Sequence, residues 1–90
     1  MRDDVALVVE VSDSTLAGDR LKRRVYARAS IPAYWIVNLV DFQLEVFTNP
    51  GDTGHAADYS NEARLTRTDV VTMSLPNHVP LEIAVADLVR

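Results

Sequence analysis

An α/β fold, built as a mixed sheet with one main helix and a β-hairpin, is what this sequence predicts, and three observations carry it. The run Val5-Ala6-Leu7-Val8-Val9-Glu10-Val11 is aliphatic on both parities. Next, Ala17, Leu21, Val25 and Ala29 recur at every fourth position, the spacing of an amphipathic helix. Finally, Tyr34 to Val40 is aromatic and β-branched, and Phe42 to Phe47 alternates strictly. Ninety residues hold one domain, and a chain of that size buries roughly 60–65% of the surface its unfolded form exposes.

The first run reads as a strand covered on both faces, which predicts a central place in the sheet. Val5, Leu7, Val9 and Val11 share one face; Ala6, Val8, Glu10 and Ser12 share the other. Ser12-Asp13-Ser14-Thr15 is a capping-type cluster that ends the strand, and the helix begins between Thr15 and Asp19. The Ala17/Leu21/Val25/Ala29 stripe is expected to pack on the sheet, with Lys22 and Tyr26 at its border. Asp19, Lys22 and Tyr26 then share a neighbouring face, and Arg20, Arg23 and Arg24 point toward solvent. Ile31-Pro32 stops the helix, because a residue before proline is driven out of the α region.

A turn near Val40 and Asp41 should pair the next two strands antiparallel, the second of them with one wet face. Asn49 to Gly54 gathers turn formers and reads as an exposed loop. Beyond it, Tyr59 to Thr66 and Val70 to Ser74 are strand candidates, and Leu81 to Val89 suits a strand running into a short terminal helix.

With 48% hydrophobic and 24% charged residues and no repeat or low-complexity tract, the composition is that of an ordered soluble protein. The absence of cysteine excludes disulfides, zinc ribbons and thiol catalysis. No signal-peptide pattern or bilayer-length apolar run is present, so no membrane contact and a cytoplasmic location are expected. The net charge of −4 argues against a nonspecific nucleic-acid coat. Nevertheless five of the nine cationic side chains, Arg20, Lys22, Arg23, Arg24 and Arg28, fall within nine residues, a local surface that would attract phosphate.

Glu10 is the residue that asks for an explanation, because an unpaired charge in an apolar strand is costly. It is either a structural ion pair or a ligand for a hard cation such as Mg²⁺, which binds carboxylate oxygen and keeps several waters. Lys22 is either a solvated helix residue paired with Asp19 or Tyr26, or an ammonium that stabilises hydroxide and phosphoryl charge beside a metal-bound carboxylate. The arginines are either a solvated face or phosphate contacts at Arg20, Arg23 and Arg24. Asp13 suits a cap, and His55 and His78 have no partner at ligand spacing. Tyr34 and Trp35 suit core packing better than base stacking. There is no Gly-rich phosphate loop and no Ser-His-Asp set.

Leu7 to Thr15, followed by Asp19-Arg20, Lys22, Tyr26-Ala27 and Ile31-Pro32-Ala33-Tyr34-Trp35-Ile36-Val37, closely resembles the Uma family of restriction endonucleases, within the PD-(D/E)XK nuclease superfamily. Val85-Ala86-Asp87-Leu88 resembles the end of that family. The resemblance implies a restriction-endonuclease-like core and Mg²⁺-dependent cleavage of DNA. It puts the metal ligand at Glu10 and the water-assisting lysine at Lys22, with Asp19 and Tyr26 positioning Lys22. Ser12 occupies the superfamily's usual lysine position.

The resemblance also implies that residues 1–90 are the C-terminal portion of such a domain, lacking the earlier helix and the strand with the first metal-binding Asp. Asp4 does not replace that Asp, since six residues of strand place it roughly 20 Å from Glu10. Ser30 stands where the family usually has Gly, Ala33 where it has Glu, and Asn38 where it has Asp. The competing expectation is a truncated, catalytically silent remnant that acts as a binding or self-associating module. Exposed sheet edges favour a homodimer in either case.

Overall fold

In a computed structural model, which describes residues 7–14, 16–51, 57–73 and 77–89, the first apolar run becomes strand β1 (Leu7–Ser12). It leads into helix α1 (Leu16–Arg28), which returns the chain to β2 (Ala33–Asn38), parallel to β1. Parallel strands need such a crossover, whereas the tight turn after β2 gives the antiparallel partner β3 (Gln43–Pro50). β4 (Tyr59–Leu65) completes a four-stranded mixed sheet of order β1-β2-β3-β4. The hairpin of β5 (Val70–Met73) and β6 (Leu81–Ala84) follows, and β6 runs into a 3₁₀ turn at Val85–Asp87. The expected α/β class, single main helix and β2–β3 hairpin are all present.

The sheet separates two cores. On one face Trp35, Val37 and Leu44 meet Val71, Val85 and Val89 of the C-terminal segment. On the other, Tyr34, Ile36, Phe47 and Tyr59 meet Ala27, with Val8, Leu16 and Tyr26 at the margin. Tyr34 and Trp35 are therefore core residues, as the apolarity of their strand predicts.

Several sequence expectations are corrected. β1 does not lie mid-sheet: it pairs only with β2 among the described residues, and Val9 and Val11 are 47% and 64% exposed. The helix is rotated from the predicted orientation. Leu21 and Val25 are exposed, and the sheet-facing side is made by Leu16, Asp19, Arg20, Arg23, Tyr26 and Ala27. That rotation follows from partners far away in sequence: Arg20 reaches Glu45 and Arg23 reaches Asp58, so neither arginine points freely to solvent as expected.

Because α1 covers it, the supposed wet face of β3 is dry, with Glu45 and Phe47 at 0% and 1% exposure. Asn49 and Pro50 belong to β3 rather than to a loop. Residues 52–54 of that loop, His55, Thr15, Ser74, and Val5 and Ala6 of the first run lie outside the described residues. His78 is exposed.

The helix ends in a Schellman motif. Ile31 N–H donates to Tyr26 O at 3.1 Å and Ser30 N–H to Ala27 O at 2.9 Å, with Ser30 in the left-handed region at φ 60°. This geometry favours Gly at position 30, since a Cβ is strained at that φ.

Candidate acid–lysine site

The alternation of β1 places Val8, Glu10 and Ser12 on the helix side of the sheet, where α1 passes overhead. Lys22 and Tyr26, one turn apart on α1, both reach the same oxygen of Glu10. Lys22 Nζ and Tyr26 OH each donate to Glu10 Oε2 at 3.2 Å. Lys22 Nζ is also 3.2 Å from Asp19 Oδ1, so the ammonium bridges two carboxylates. Asp19 is held in turn by the core: Tyr34 OH donates to its backbone oxygen at 2.7 Å, and the Tyr34 ring packs 4.8 Å from that of Tyr26. The four residues Glu10, Asp19, Lys22 and Tyr26 thus form one cluster at the sheet edge, half open to water, with 48% of the Lys22 side chain and 28% of the Glu10 side chain exposed.

The electrostatics set the charge state of Lys22. Its ion pair with Asp19, and then its hydrogen bond to Glu10, hold the Lys22 ammonium above the ordinary lysine range, so it is charged at neutral pH. A charged ammonium attracts negative charge and does not accept a proton. Burial, and then the bond to Glu10, raise the Tyr26 phenol, which therefore stays a neutral donor. Ser12 is fully buried, with a hydroxyl that has no hydrogen-bond partner among the described residues, and it is Lys22 that brings an ammonium to Glu10.

The basic residues divide. Arg20 forms a two-pronged pair with buried Glu45, Nε to Oε1 at 2.9 Å and Nη2 to Oε2 at 2.6 Å. Arg23 Nε binds Asp58 at 3.0 Å, whereas Arg24 is 3.9 Å from the same carboxylate and 60% exposed. Arg24 is therefore the member of the predicted phosphate-binding trio that keeps its donors toward solvent. Asp13 is exposed and accepts a hydrogen bond from Ser14.

Glu45 and Asp58 are not among the candidates the sequence offers, and Asn38 stands out there only as a departure from the family pattern. The available signal was Phe47, two residues from Glu45 and hence on the same face, which marks that face as covered rather than wet. Asn38 Nδ2 donates to Glu45 at 2.9 Å and to Asp41 at 3.1 Å, while its Oδ1 accepts the Val40 and Asp41 N–H groups at 3.0 Å. An Asp here would lose both donors and set a second negative charge beside Glu45, a reason for Asn at this position.

For Mg²⁺, the donor chemistry fits in kind but not in number. Glu10 offers hard oxygen, but among the described residues no group of three or more His, Asp or Glu side chains is arranged to hold a metal ion. Among the described residues, no helix is long and apolar enough to cross a membrane.

A mixed α/β sheet that sets a strand carboxylate against a helix lysine is the arrangement the described residues present. The family model Uma2, described as "Putative restriction endonuclease", matches residues 1–86, and the chain belongs to that family. No curated protein and no solved structure matches it.

Proposed function

We propose that this chain acts in metal-dependent hydrolysis of DNA phosphodiester bonds, in keeping with its family. The observation that carries the reading is the Lys22 ammonium held 3.2 Å from both Glu10 and Asp19 on an accessible edge. In this reading Glu10 would hold Mg²⁺ through one carboxylate oxygen, and the ion would supply Lewis-acid activation of the phosphate and a water. Lys22 orients the attacking water and neutralises charge that builds on the phosphoryl oxygens. Asp19 and Tyr26 are positioning residues: Asp19 fixes the ammonium, and Tyr26 fixes the carboxylate. Arg24 faces the DNA backbone as a phosphate contact; Arg20 and Arg23 support it from within their own ion pairs. Water adds across the P–O ester bond, leaving a phosphate monoester and a free hydroxyl.

A second reading, a catalytically silent binding or self-associating module, is favoured by a different observation. β1 presents an unpaired edge among the described residues, beside exposed Val9 and Val11, and a second copy would cover it as a homodimer. Plasmid nicking in the presence of Mg²⁺, with Glu10→Ala and Lys22→Ala in parallel, separates the two. Nicking that both substitutions abolish supports the hydrolytic reading; an inert protein that sediments as a dimer supports the module.

A further inference from the structure

We propose that Phe42 and Arg67 form a contact site for single-stranded nucleic acid, a base stacking on the face of the Phe42 ring away from Arg67 and a phosphate pairing with Arg67; this rests on the nucleic-acid reading above. Three independent observations lead to it.

Phe42 occupies a backbone position that disfavours it. The turn between β2 and β3 is fixed by Asn38, whose side chain accepts the Val40 and Asp41 N–H groups. Phe42 follows at φ 56°, in the left-handed region where Gly or Asn is easy and a bulky side chain is rare. The ring gains little packing in return: Phe42 is 46% exposed and belongs to neither core cluster. Strain without a packing reward points to a use of the exposed ring.

Arg67 is held differently from five other cations. Arg20, Lys22, Arg23, Arg24 and Arg64 each face a carboxylate. The Arg67 guanidinium lies over the Phe42 ring, 4.9 Å from its centroid. A guanidinium stacked this way keeps its in-plane N–H donors for an oxyanion. The turn that presents it is pinned, Thr66 N–H donating to Asp69 Oδ2 at 2.8 Å and Asp69 N–H to Thr66 O at 2.9 Å.

Position supplies the third argument. The register pairs Leu44 with Leu65 and Asn38 with Gln43, so the turns 39–42 and 66–69 share one rim of the sheet. That rim lies at the carboxyl ends of the parallel strands β1 and β2, the side where open α/β sheets bind ligands. Two strand spacings and three residues of rise separate Phe42 from the row of Glu10, roughly 15 Å. One strand of a few nucleotides spans that distance. An aromatic face accepts an unstacked base and cannot enter an intact stack, which selects single-stranded over duplex segments.

The test is fluorescence anisotropy of a labelled oligothymidylate with the full chain at low salt in EDTA, so that binding is read without cleavage. Phe42→Gly and Phe42→Asn both relieve the left-handed strain, so stability by urea denaturation should hold or rise while affinity falls about 5- to 100-fold. Arg67→Ala should weaken binding similarly, and Arg67→Lys less, since charge is kept but the fork is lost. The proposal is overturned if the unaltered protein does not bind the oligonucleotide, or if the Phe42 variants bind it undiminished. It is also overturned if they change sedimentation instead of affinity, which would make the ring a protein contact. Plasmid nicking with Mg²⁺ is scored separately: nicking by a protein that ignores the oligonucleotide sinks this proposal alone, and oligonucleotide binding without nicking sinks only the hydrolytic reading.

Discussion

Glu45 illustrates what single residues contribute here. Burial pushes its carboxyl upward, yet the hydrogen bonds from Arg20 and Asn38 outweigh that and hold it below the usual carboxylate range. The sign for stability follows directly. A carboxylate with a depressed folded-state pKa stabilises fully above its unfolded value of about 4.3, and that contribution is lost as pH falls through the folded value. Urea midpoints should therefore decline steeply below pH about 4, and Glu45→Gln should flatten that decline. At neutral pH, Arg20→Ala strands a buried carboxylate and should cost about 3 kcal/mol. A loss below about 0.5 kcal/mol would mean water already compensates Glu45. Ser30 gives a prediction of the opposite sign. Because it sits at φ 60° in the helix cap, Ser30→Gly should stabilise by about 0.5–1 kcal/mol, read as a higher urea midpoint at unchanged slope.

At the scale of elements, α1 carries two surfaces that compete for the sheet. The apolar stripe Ala17/Leu21/Val25/Ala29 is a real helical repeat, and periodicity alone selects it. The folded molecule instead seats Ala27 against Tyr34 and Ile36 and flanks it with Arg20 and Arg23. Those arginines find acids 25 and 35 residues away, a relation that no local pattern contains. Strand identity was legible because composition and alternation are local; strand position and helix rotation were not, because they depend on what the distant segments bring. The acid–lysine cluster was legible for the same reason as the strands: Glu10 and Lys22 are 12 apart across one turn. The helix orientation has a direct check. Leu21→Lys and Val25→Lys should shift stability by no more than about 0.5 kcal/mol, whereas Ala27→Leu should cost about 1–3 kcal/mol through overpacking. The reverse ranking by urea denaturation would place the apolar stripe against the sheet.

For the whole molecule, the two-sided sheet leaves its candidate site at an edge among the described residues. Glu10 faces α1 from β1, while Val9 and Val11 leave the opposite face of the same strand open. Self-association through that strand would cover apolar surface and set a second copy's side chains beside Glu10. Sedimentation should accordingly show a concentration-dependent dimer that Val9→Lys and Val11→Lys together convert to monomer. A wild-type protein that stays monomeric at all concentrations would remove this contact from the account. The site and its scaffold are then one proposition: the strand carboxylate and the helix ammonium work as a pair on a phosphodiester.

Cleavage of supercoiled plasmid by the purified chain in Mg²⁺, run beside Glu10→Ala and Lys22→Ala at identical salt, tests that proposition most directly. The account predicts nicking by the unaltered protein that EDTA stops and that each substitution lowers by at least about 100-fold, the scale of a lost electrostatic stabiliser. An inert unaltered protein, or nicking that survives both substitutions, would contradict it.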